Sequence, residues 1–215
     1  MTQRDNFFWL LAALLLLFFM SALAEQVDSE LLLNLNSLLL TATLLVAVWS
    51  MQADLHRLYS RWGITVLLVL FAGVDSVVKS RGLQTLHFAL VLLFTSTSIL
   101  IAGRQVLFSG AVDFNKIVGA VCIYMLLAIA WAMVYLLLEL LVPGSLPGVF
   151  PDGDHATVHT AVYYSFVTIT TLGFGDLTPA QPLARYFTYL QAVTGQFYIA
   201  ILVASLVGVR LGSKD

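Results

Sequence analysis

Apolar residues fill six blocks of this chain, at 7–24, 31–51, 62–78, 86–102, 117–141 and 186–209, with short polar or turn-forming stretches between them. Each block is close to the roughly 20 residues that carry a helix across a bilayer. After Asp154-His155-Ala156-Thr157, a further apolar and aromatic run, 158–169, is too short to cross but long enough for a half-helix, and Asp154 is placed to cap its start. After it come Thr170-Thr171-Leu172-Gly173-Phe174-Gly175-Asp176, then Leu177-Thr178-Pro179, and then the last block. The pattern predicts an all-α membrane protein with six transmembrane helices, and a reentrant helix and loop between the last two.

The loop carries the chemistry. Gly173 and Gly175 alternate with other residues, and glycine alone takes left-handed dihedrals without steric cost. Alternating left- and right-handed dihedrals turn successive carbonyl oxygens toward one axis. Such a ladder can replace the water shell of a cation. Taken alone, two alternating glycines fit equally well a simple turn between helices. The half-helix changes the balance, because its negative C-terminal end would point at the loop and favour a cation there. Non-helical backbone at membrane depth is tolerated only inside protein or along a watery path. Half-helix, glycine loop and final span together imply a pore.

Composition agrees: 60% of the 215 residues are hydrophobic and 10% charged, against about a quarter charged in soluble domains. Mean hydropathy is +0.94. The net charge of −2 identifies no partner. No basic run suggests nucleic acid, no spacing suggests a metal cluster, and no nucleophile–base pair suggests an enzyme. Cys122 is the one cysteine, so there is no disulfide framework.

Basic residues orient the spans. Arg4, Arg57, Arg61, Arg104, Lys116, Arg210 and Lys214 fall on one side and Lys79, Arg81 and Arg185 on the other. The larger set is expected inside, with both termini cytoplasmic in a cell membrane. Ala22-Leu23-Ala24 before Glu25 also fits a signal-peptide cleavage site; a retained first helix is the expectation.

The stretch from Tyr163-Tyr164-Ser165-Phe166-Val167-Thr168-Ile169 through Thr170-Thr171-Leu172-Gly173-Phe174-Gly175-Asp176 resembles the pore helix and signature filter of tetrameric six-transmembrane potassium channels. Gly173, Gly175 and Asp176 fall on the signature glycines and aspartate, and Thr171 on the leading threonine. Leu172 stands for the usual valine and Phe174 for the commoner tyrosine. Tyr163 and Tyr164 lie where many members carry tryptophans, and Val167 where some bacterial members carry a glutamate that pairs with the filter aspartate. The resemblance implies K⁺ held by Thr171, Leu172, Gly173 and Phe174, with Gly175 and Asp176 completing the filter. Tyr163, Tyr164, Thr168 and Thr170 would support it from the pore helix. It also implies a homotetramer, since one chain supplies one loop. No cofactor is expected beyond K⁺ in the filter, and no partner beyond K⁺, the bilayer and three further copies. The pore domain would be 110–215 (outer helix 117–141, pore helix 155–169, filter 171–176, inner helix 186–209), with no cytoplasmic domain.

Residues 1–109 occupy the place of a voltage sensor, and the first four spans match by helix count only. A sensor needs Arg or Lys at every third position of its fourth helix, and 86–100 contains neither. Passive K⁺ conduction with little voltage gating is the expectation. His87 could titrate near neutral pH but reads as interfacial, and Asp75 as paired with Lys79 or Arg81. Glu139 is ionisable near a membrane boundary, which makes it a functional candidate; some relatives have a glutamate near this point that hydrogen-bonds the pore-loop region, and simple interfacial solvation explains it equally well. Gly195 resembles the hinge glycine of inner helices and could equally serve close packing. Ala204 and Gly208 form a small-residue pair for packing, and Phe187, Tyr189 and Tyr198 are packing or interfacial aromatics. A weakly selective cation channel and a non-conducting membrane subunit are the rival readings.

Overall fold

The computed structural model describes residues 6–27, 80–108, 114–147, 149 and 158–212. All regular structure among them is helical: α1 (Asn6–Val27), α2 (Arg81–Phe108), α3 (Phe114–Leu141), α4 (Val158–Ile169) and α5 (Pro182–Gly212). Stretches of α2 (Arg81–Val106), α3 (Phe114–Leu141) and α5 (Pro182–Ser205) are long and apolar enough to cross a membrane. The apolar part of α1, Phe7–Leu23, is shorter. The blocks expected at 31–51 and 62–78 lie outside the described residues, as do Asp75, Lys79 and the Asp154 cap.

Several boundaries differ from the sequence reading. The fourth span extends beyond 86–102 at both ends, so Arg81 and Gly82 are helical and the helix continues past Arg104 to Phe108. The amide of Gln84 donates to the Ser80 carbonyl at 3.0 Å, closing the first turn of α2. The fifth span begins at Phe114 rather than 117, so 114–116 are helical. The last begins at Pro182 rather than 186, because proline suits the first helical position, where no partner exists for an amide N–H. Gly195 interrupts neither helix nor hydrogen bonding of α5, which runs through it.

The chain forms two compact units. One contains α1, α2 from Thr97 onward and α3 as far as Met125. Its helices pack closely at Gly119, where an added Cβ would come within 2.9 Å of both Phe7 and Val106. The Phe7 amide donates to Asn115 Oδ1 at 3.3 Å, and the Cys122 thiol donates to the Phe7 carbonyl at 3.4 Å.

The other unit holds Ser80–Ser96 of α2 and the described chain from Leu126 onward. Its core joins Phe88 of α2, Ala132, Met133, Tyr135 and Leu136 of α3, and Ala161 and Tyr164 of α4, closed over by Leu146 and Val149. The rings of Tyr135 and Tyr164 meet edge to face at 4.9 Å, a favoured aromatic geometry. This core seats α4 between α3 and α5, and so determines where the loop after α4 begins.

Candidate functional site

The loop leaves α4 by folding its own amides back onto the helix end. Thr170 N–H donates to Phe166 O at 3.1 Å, and Thr171 N–H to Thr168 O at 3.0 Å. Leu172 and Gly173 both donate to the carbonyl of Val167, at 2.9 and 3.2 Å. These bonds satisfy carbonyls that a helix C-terminus otherwise leaves open. They also orient the loop. Every peptide bond here is trans, and in a planar trans peptide the C=O points opposite to the N–H. With the amides of 171, 172 and 173 turned toward α4, the carbonyls of Thr170, Thr171 and Leu172 all point away from it. Neighbouring carbonyls share one side, unlike those of a strand.

Positive φ enters this arrangement at Thr171 (φ 58°) and recurs further along the loop at Gly173 (φ 57°) and Gly175 (φ 82°). The left-handed pattern therefore begins one step before the glycines, at a β-branched residue. Among the described residues Thr171 is the one non-glycine with positive φ. Such strain costs on the order of 1–3 kcal/mol and concentrates at functional sites. The side chains of Leu172 and Phe174 stand 58% and 65% exposed on the single chain.

Asp176 closes the loop. Its Oδ2 accepts a hydrogen bond from the Tyr163 hydroxyl at 2.6 Å, and that bond holds its carboxyl below the usual carboxylate range. Tyr163 thus gives Asp176 a side-chain partner from α4. Tyr164 is buried, with its hydroxyl 2.7 Å from Thr188 Oγ1 of α5. Thr168 contributes its carbonyl to Thr171, and the Thr170 hydroxyl donates back to Phe166 O at 2.7 Å.

Glu139 is committed to the turn after α3. Its Oε1 accepts from Gly144 N–H and its Oε2 from Leu146 N–H, each at 2.6 Å. A carboxylate at a helix C-terminus opposes the helix dipole, and two charge-assisted bonds offset that. Ser145, between them, accepts from the amide of Ala180 at 3.0 Å, which ties this turn to the segment beyond Asp176. Gly195 faces the end of α4: an added Cβ would overlap the Ile169 carbonyl oxygen and come within 2.7 Å of Ile169 Cγ1. The structure thus gives this glycine a packing reason. His87 lies on α2 and outside this cluster, and among the described residues no group of His, Cys, Asp and Glu could hold a metal ion.

One group of residues went unnoticed in the sequence. Gln191 is fully buried on α5. Its Nε2 donates to Ser165 O at 3.0 Å and Ser165 Oγ at 2.6 Å, and its Oε1 accepts from the Tyr135 hydroxyl at 2.6 Å. The Ser165 hydroxyl donates onward to Ala128 O at 2.6 Å. Three helices are joined through polar bonds inside an apolar core. The available signal was a glutamine inside an apolar span, one turn before Gly195. A second glutamine, Gln196, approaches the Thr171 hydroxyl at 3.5 Å.

Residues 121–209 match the model of a protein family described as "Ion channel". The chain is also 33% identical over 90 residues to "Two pore potassium channel c" of Oryza sativa subsp. japonica; the match covers 41% of this chain. It spans 20% of the length of that relative. Both are ion channels, which are not enzymes. No solved structure matches. The matched stretch runs from within α3 to within α5, and so includes α4 and the loop.

Proposed function

We propose that this protein conducts K⁺ passively across a cell membrane, through a pore enclosed by four copies of the chain. The observation that carries the reading is the run of same-sided carbonyls at 170–172, with positive φ at Thr171 and again at Gly173 and Gly175. Carbonyls of Thr171, Leu172, Gly173 and Phe174, with the Thr171 hydroxyl, replace the water around the ion. The negative end of α4 lies behind them. Asp176 raises the cation concentration at the outer mouth, where Tyr163 holds it in place.

One chain contributes one loop, and a ring needs several. The exposed Leu172 and Phe174 are apolar surface next to a polar pathway, and neighbouring copies cover them in a closed ring. The architecture proposed is six membrane spans with α4 and the loop reentrant between the last two, and both termini on the cytoplasmic side. Residues 1–109 form a sensor-like domain lacking the charge ladder. Gly195 serves as a contact and, in this reading, as the point where α5 bends.

The experiment is flux from purified full-length protein in liposomes loaded with K⁺ or Na⁺. K⁺ efflux well above that of Na⁺ is expected. Equal efflux would favour the weakly selective channel, and none at all the non-conducting subunit.

A further inference from the structure

The bonds of Gln191 form one side of a seam. Gln191 and Gly195 are one turn apart on α5, and their partners Ser165 and Ile169 are one turn apart on α4. Thr188 and Tyr164 extend the seam on its N-terminal side. Contacts advance in the same direction along both helices, so the seam ends where the loop begins. Two residues beyond Ser165 is Val167, the carbonyl that holds the amides of Leu172 and Gly173.

The hydrogen-bonding capacity of Gln191 is matched to this place. Both N–H bonds are used on Ser165 and the oxygen on Tyr135. Flipping the amide would set its oxygen against the Ser165 carbonyl, so one orientation is selected. A fully satisfied buried polar network specifies one arrangement of its helices, while an orphaned member carries the full desolvation penalty. An apolar residue of the same size would fill the space but let α4 turn or slide.

We infer that Gln191 is a positioning residue for the loop: by fixing Ser165 it sets the rotation of α4, hence the Val167 carbonyl and the direction of the carbonyls at 171 and 172. The effect on ion selection rests on the proposed reading of the loop as a cation filter; the effect on loop geometry does not.

The test uses the full chain in lipid, with Gln191→Met, which keeps volume and removes every polar bond, and Gln191→Glu. The first measurement is hydrogen exchange of the Leu172 and Gly173 amides. The second is the K⁺ to Na⁺ flux ratio. Gln191→Met should speed exchange by about tenfold, the loss expected for one orphaned buried polar group, and lower the flux ratio by a similar factor. In Gln191→Glu the neutral carboxyl can still donate to Ser165 and accept from Tyr135. Ionised, it can only accept, and it repels the Ser165 carbonyl. This variant should behave as wild type at low pH and move to the Gln191→Met pattern as pH rises. The titratable groups around it are Tyr135 on α3 and Tyr164 on α4, phenols that ordinarily ionise only near about 10. Glu139, one turn on from Tyr135, is held by Gly144 and Leu146. Wild-type protein run over the same pH range separates the contribution of Asp176.

Wild-type exchange in a folded Gln191→Met protein would overturn the inference, as would Gln191→Glu without a pH profile of its own. If Gln191→Met does not fold, the pH series decides. Absence of flux from the wild type would sink the filter reading, while exchange still judges the positioning role.

Discussion

Replacing Gly195 by alanine should damage the end of α4, and the structure gives the size of the effect. A Cβ at 195 would meet Ile169 Cγ1 at 2.7 Å and overlap the Ile169 carbonyl oxygen, where ordinary contact starts at 3.4 Å. The side-chain carbon must withdraw by about 0.7 Å, an amount that a rotamer change could supply. The carbonyl cannot withdraw without moving the last turn of α4, from which the loop departs. Overpacking of this kind costs roughly 1–3 kcal/mol, against a gain of up to about 1 kcal/mol from replacing a mid-helix glycine. Against that full gain the net loss is still as much as about 2 kcal/mol, which lowers Tm by up to roughly 8 °C for a chain of this size. Circular dichroism melting in detergent reads this, and K⁺ flux reads the consequence for the loop. Gly103→Ala on α2 is the control: nothing described lies within 4 Å of its added Cβ, so its Tm should hold or rise. The double change Gly195→Ala with Ile169→Ala should remain impaired, because the offending atom is backbone. Wild-type stability and flux in Gly195→Ala, or full rescue by the double change, would refute the reasoning.

Three other outcomes follow from the same geometry. Tyr163→Phe removes the hydroxyl that holds the Asp176 carboxyl below its ordinary range. A folded-state value below the unfolded one contributes stability at neutral pH that disappears as pH falls through the folded value; in the variant, loss of K⁺ flux on acidification should therefore begin at a higher pH, and an unchanged profile would count against the bond. Glu139→Gln leaves one of the two amides it holds, that of exposed Gly144 or of buried Leu146, facing an N–H instead of an acceptor, so melting should show a loss of up to about 3 kcal/mol, largest where the Leu146 amide is the one orphaned; an unaltered Tm would mean that the turn is held otherwise. Planar-bilayer currents should follow driving force alone, because 86–100 lacks Arg and Lys; a conductance–voltage curve equivalent to several charges per subunit would contradict that.

What was legible in the sequence was whatever depends on neighbours along the chain. A 12-residue apolar run ahead of alternating glycines was visible as a half-helix and loop, and α4 ends at Ile169 as read. The left-handed dihedral of Thr171 was not visible, because a β-branched residue disfavours it and only the amide bonds back to α4 hold it there. The last span was expected only from 186, although the ring of Pro182 suits a helix start. The roles of Gln191, Ser165 and Tyr135 depend on partners 26 and 56 residues apart, and periodicity assigns a residue to a helix without naming what it touches. Gly195 was open between a hinge and a contact for the same reason: the contact is with a carbonyl on another helix.

Reversal potential tests the central claim most directly, measured on purified protein in bilayers under opposed K⁺ and Na⁺ gradients with Gly173→Ala alongside. Wild-type currents should reverse near the K⁺ equilibrium potential. A Cβ at 173 penalises the left-handed conformation by roughly 1–2 kcal/mol per chain, so Gly173→Ala should lose conductance or shift its reversal toward zero while remaining folded. Wild-type reversal midway between the K⁺ and Na⁺ potentials, or a Gly173→Ala variant with unchanged conductance and K⁺ preference, would contradict the account of this loop as the filter.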